Sequence, residues 1–178
     1  MYYKYCNFLM QLEEKLMDLD REYSNIVILC IGTKSVTGDA IGPLVGESIK
    51  YLENEYVKIY GNFKDTINFK NAREVLSKIY EEYRNPYIIT IDAALGNKET
   101  VGKILLSKGY IKIGKALEKN ICFYSNINIK CVIGLNANSK QNNILELKKI
   151  KYSEVFEMAN LVSQGIKQAL KNKMCETV

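Results

Sequence analysis

The feature that most constrains this chain is an unbroken apolar run, Ile26-Val27-Ile28-Leu29-Cys30-Ile31. It is strand-sized, rich in β-branched residues, and bounded by Asn25 and Gly32. Such a run predicts a strand covered on both faces, the situation of a parallel sheet flanked by helices. A loop follows, Gly32-Thr33-Lys34-Ser35-Val36-Thr37-Gly38-Asp39-Ala40-Ile41-Gly42. Pro43 then suits the first turn of a helix running to about Glu55, where its missing N–H is not needed.

The rest of the chain follows the same grammar. Phe8, Leu9, Leu12, Leu16 and Leu19 recur at helical spacing and predict an amphipathic helix from about residue 7 to 20. Val57–Tyr60 reads as a short strand, and 71–84 as a helix with Val75, Ile79 and Tyr83 on one face and Asn71 as its cap. Tyr87–Ile91 predicts a third strand, introduced by Asn85-Pro86 and closed by Asp92-Ala93-Ala94. Glycines 96, 102, 109 and 114 punctuate a stretch of short strands and loops, with Lys103–Ser107 and Ile129–Ile133 as the strands within it. Ser153 is expected to cap a last helix whose Val155, Ala159, Val162, Ile166 and Leu170 face inward. Alternating strands and helices predict a three-layer α/β sandwich with a mainly parallel sheet. It is expected as a single domain over residues 1–178, with a helical extension (1–23) ahead of the core (24–171).

Composition removes whole classes of function. At 178 residues the chain has the size of one compact domain, and no apolar run reaches the roughly 18 residues of a membrane span. Glu13, Glu14, Asp18 and Asp20 follow the start closely, so no secretory signal is expected and the expected location is cytoplasmic. Residues 1–60 hold 6 basic and 9 acidic groups, and residues 101–178 hold 13 and 5. The basic groups are dispersed lysines with one short run, Lys148-Lys149-Ile150-Lys151, so the gradient reads as solvated surface rather than a nucleic-acid stripe. Five cysteines include no CxxC pair, and Cys30 and Cys131 sit in strand-like runs where the thiol packs as a small hydrophobe. Histidine is absent, which eliminates Ser-His-Asp and Cys-His triads and imidazole acid–base schemes. The glycine loop fits neither GxGxxG nor GxxxxGK[ST], and no cofactor is expected. Thirteen tyrosines, with Tyr2, Tyr3 and Tyr5 clustered, point to half-exposed packing or an interface, leaving a homo-oligomer open.

What remains is carboxylates. Open α/β sheets bind ligands beyond the carboxyl ends of their strands, at a switch in strand order. Asp92 follows the third strand and Asp39 lies in the loop after the first. In a 2-1-3 strand order both would overhang one cleft. Each also has an architectural reading: Asp39 as a helix cap, Asp92 as a strand terminator bonded to the next turn. As a pair they suit hydrolysis, because repulsion and burial keep one protonated while the other is ionised. Metal coordination through oxygen is another use of the same pair. Gly38 and Gly42 would shape the cleft, and Thr37 would orient a carboxylate.

These residues resemble a known group. The stretch Cys30-Ile31-Gly32-Thr33 … Thr37-Gly38-Asp39-Ala40-Ile41-Gly42-Pro43-Leu44-Val45-Gly46, followed by Ile91-Asp92-Ala93-Ala94-Leu95-Gly96, resembles the YyaC family of sporulation proteins. That family is similar to the spore germination protease and, more distantly, to hydrogenase maturation proteases. The resemblance covers about residues 24–170 and implies a phosphorylase/hydrolase-like sandwich. It also implies Asp39 and Asp92 as the catalytic pair of an aspartic-type peptidase in the forespore or spore, acting on a peptide or small protein such as a spore protein. A non-catalytic sporulation factor binding a partner in the same cleft is the alternative. Hydrogenase maturation proteases recognise nickel through a carboxylate pair and a histidine, and this chain has no histidine to complete the set.

Overall fold

The apolar run becomes strand β1 (Ile26–Cys30), buried along its whole length, and the sheet extends outward from it. The computed structural model describes residues 2–17, 19, 23–113, 121–137 and 139–175. Strand β1 lies between β2 (Val57–Tyr60) and β3 (Tyr87–Gly96), parallel to both. Strand β5 (Ile121–Leu135) continues the sheet parallel to β3, and β4 (Ile104–Ile113) runs antiparallel along β5. The order β2-β1-β3-β5-β4 contains the expected 2-1-3 switch in a mainly parallel sheet.

Alternation along the strands builds two cores. Ile28, Cys30, Ile89 and Ile91 point to one face, where α1 (Tyr2–Leu16), α2 (Ile41–Ile49) and α5 (Tyr152–Cys175) cover them. Val27, Leu29 and Ile88 point to the other, beneath Leu76 and Ile79 of α3 (Ala72–Glu82). At about 1.5–3 kcal/mol per fully buried aliphatic side chain, these two faces hold the three layers together.

Several elements differ from expectation. The first helix begins at Tyr2, since no Gly or Pro interrupts the chain before residue 7, and closes at Leu16, leaving Leu19 in the turn beyond. Of the early tyrosine cluster only the Tyr5 side chain is described, and Asp18, Asp20 and Gly114 lie outside the described residues. The second helix starts at Ile41, with Pro43 in its first turn, and passes into a 3-10 turn at Lys50–Leu52. Asn71 stands at the cap position of α3, yet its side chain serves the preceding loop: it accepts from the Asn68 N–H (2.9 Å) and donates to the Thr66 carbonyl (2.8 Å). Ser153 is inside α5, whose first N–H bonds run to the Lys151 carbonyl. One helix was not foreseen, α4 (Lys140–Lys149), capped by Ser139 and without a fully buried residue.

Strands β3 to β5 are longer than the apolar runs suggested. A bulge opposite Ser107 and Gly109 reverses which side chains of β5 face α3, so its apolar period breaks in mid-strand. At the bulge Thr90, Ser125 and Asn128 form a buried polar cluster, Thr90 Oγ1 donating to Asn128 Oδ1 (2.8 Å) and Asn128 Nδ2 to the Gly109 carbonyl (3.3 Å). The length of β3 positions the site. Cys30 pairs with Ile91 at the end of β1, but β3 continues to Gly96 against β5.

Candidate active site

Asp92 is the first residue of β3 beyond the end of β1, and it lies within the strand rather than after it. Its neighbours Ile91 and Ala93 point to the α2–α5 core, so its carboxyl rises from the opposite face at the step where β1 has stopped.

Asp39 reaches the same step by a folded-back loop. Gly32 leaves β1 with φ +150°, and a Cβ there would be driven into the Asp39 carbonyl. A Cβ on Gly42 would meet the Ile31 carbonyl. With both side chains absent, the loop closes on the strand end, pinned by the Thr33 N–H donating to the Asp39 carbonyl (3.0 Å). Residues Thr37–Ala40 form one 3-10 turn that feeds α2. The cap position of α2 is Ala40, and no side chain caps the helix, so Asp39 is not serving as its cap. Gly38 abuts α4: the Leu147 carbonyl would lie 2.8 Å from a Cβ at this position. Thr37 opens the turn half-buried, and its hydroxyl bonds to neither acid among the described residues.

The two carboxyls are half-buried and feel one another. Burial pushes Asp92 up to about 8, and the charge of Asp39 adds to the rise. The Ala93 backbone hydrogen bond and the Lys130 ammonium pull the other way. Burial pushes Asp39 up to about 7 against a backbone hydrogen bond from Thr33. Two acids brought from separate elements and held near neutrality can share one proton. The buried thiols of Cys30 and Cys131 are pushed far up by burial, so both are protonated and poor nucleophiles. Among the described residues no three His, Cys, Asp or Glu side chains converge as a metal cluster. No described helix is long and apolar enough to cross a membrane.

Two neighbours of the acids were not anticipated. Lys130 is the residue of β5 in register with Asp92, and the only hint in sequence is one charge inside the apolar run of β5. Leu147 closes on Gly38 from α4, a helix with no strong apolar period to announce it.

Comparison with known proteins agrees with this architecture. A family model described as "Protein of unknown function (DUF1256)" matches residues 1–165, and the chain belongs to that family. It is similar to the uncharacterized protein YyaC of Bacillus subtilis (strain 168), 28% identical over 141 residues that cover 79% of this chain and 67% of that protein. Among solved structures it shares the fold of the [NiFe] hydrogenase maturation protease HycI from Thermococcus kodakarensis KOD1. That match has a TM-score of 0.58 at 19% identity, over 90% of this chain and 99% of the other.

Proposed function

We propose that this DUF1256 protein is a peptidase-like hydrolase in which Asp39 and Asp92 share one proton and act together on a water molecule. The observation that carries the reading is the mutual influence of two carboxyls contributed by a 3-10 turn and a separate strand at one step of the sheet. The ionised carboxylate takes a proton from water, and the water oxygen bonds to the carbonyl carbon of a peptide bond. When the C–N bond breaks, the neutral carboxyl gives its proton to the leaving nitrogen. The acids have then exchanged roles, and the pair again holds one proton. Gly32 and Gly42 hold Asp39 at the strand end, and Gly38 lets α4 close over the turn. The substrate class is an extended peptide or small protein, with spore proteins the first to test and the forespore or spore cytoplasm as the setting.

A second reading keeps the site as a peptide-binding cleft without turnover. Two cavities, one of about 280 Å³ lined by Lys50, Lys58 and Tyr60 and another of about 180 Å³ lined by Tyr23, Tyr80 and Tyr124, lie apart from the acids. Unstructured peptides and spore proteins incubated with wild type, Asp39→Asn and Asp92→Asn separate the two. The hydrolase reading expects cleavage by wild type and a loss of at least about a hundredfold in each variant, the lower end of what general acid–base groups contribute. Cleavage that persists in both variants overturns the carboxylate mechanism. Capture of a peptide by all three proteins without cleavage establishes the binding role instead.

A further inference from the structure

Lys130 stands beside Asp92 across the β3–β5 ladder, and in a parallel pair register partners project to the same face. On its other side Lys130 pairs with Leu105 of β4, which carries no charge. The side chain is exposed and makes no ion pair among the described residues. On this face the core beneath α3 takes in Val27, Leu29, Ile31 and Ile88, and neither Asp92 nor Lys130 belongs to it.

We propose that Lys130 is a positioning residue of the acid site, its ammonium supplying from β5 the positive charge that favours the ionised form of Asp92 and so eases the release of its proton. The proposal rests on the reading of Asp39 and Asp92 as a coupled pair. The groups that face Asp92 make the assignment specific. The 3-10 turn brings Asp39, of like charge, while the Cys30 and Cys131 thiols belong to the core on the other face of the sheet, where burial keeps them neutral. Helix α2 carries Glu47, turned to solvent, and α4 carries Glu146 and Lys149, spent on one another at 3.0 Å. Lys130 is the cation whose field reaches Asp92, acting against burial and Asp39. Without it Asp92 would hold its proton to higher pH.

Carboxyl-carbon NMR titration between about pH 4 and 10 tests this on wild type, Lys130→Met, Lys130→Arg and Asp39→Asn. In Lys130→Met the midpoint of Asp92 is expected to rise by about half a pH unit or more, a solvent-screened fraction of what a close opposite charge produces. Lys130→Arg should restore it, and the wild-type difference should shrink in about 1 M salt. A purely structural lysine would show none of these effects, and an Asp92 midpoint unchanged in Lys130→Met overturns the proposal. Asp39→Asn reports on the pair itself: its Asp92 midpoint must fall, and failure to fall defeats the coupled-pair reading whatever Lys130 does.

Discussion

Asp39 and Asp92 bind protons more tightly in the folded chain than in an unfolded one, where aspartate titrates near about 3.9. Two consequences follow at this scale. Between about pH 4 and the raised values near 7 and 8, the native state holds more protons than the unfolded state, so stability falls as pH rises through that window. The contribution is fully present below the unfolded value and gone above about 8. Thermal melts should show this decline in wild type and a flatter profile in Asp39→Asn/Asp92→Asn. Turnover, where cleavage is found, should peak between about 7 and 8: below that the base is protonated, above it the acid is lost. A plateau extending to pH 5 would exclude this pair as the titrating groups. Both acids stood out in the sequence because each comes after a buried apolar run, near where such sheets bind ligands, although Asp92 proved to lie within its strand. Lys130 was not, because only the pairing of β3 with β5 reveals that one lysine among many stands beside Asp92.

Among the elements, α4 is the one whose attachment can be tuned without touching the acids. Its Leu147 rests on the bare Gly38, and it buries no residue fully, so it belongs to the least protected part of the fold. Gly38→Ala should force a few tenths of an ångström of separation and cost about 1–3 kcal/mol. Hydrogen exchange should quicken in α4 while β1, β3 and β5 stay protected; uniform quickening would mean that the turn, not the helix, had yielded. Elements with a clean period were readable, and β1 and β2 lie where the apolar runs put them. The period of β5 breaks at its bulge, and α4 (KQNNILELKK) exposes Leu145 and leaves its other apolar residues only half-buried, so local pattern carried little information there.

Over the whole molecule, the N-terminal helix is part of the core that supports the site. Phe8 is buried, its ring lies where a side chain at Gly165 of α5 would stand, and α5 in turn backs α2 and the sheet. Phe8→Ala should therefore cost about 3–5 kcal/mol, read by chemical denaturation as a lower midpoint with an unchanged slope. A loss below about 1 kcal/mol would mean that α1 docks only loosely on α5. The layered α/β architecture was legible from the alternation of strand and helix patterns. The docking of α1 was not, because amphipathic spacing names a face without naming what covers it.

The staircase at the end of β1 also limits how this protein can change. Between Tyr87 and Asp92 the polypeptide gives each successive side chain to the opposite surface, so losing or gaining a single amino acid there would swing Asp92 into the greasy layer beneath α2. Substitutions along this segment can be absorbed one at a time, but insertions and deletions can be accommodated only in twos, and a descendant that broke that parity would keep its shape and lose its carboxyl.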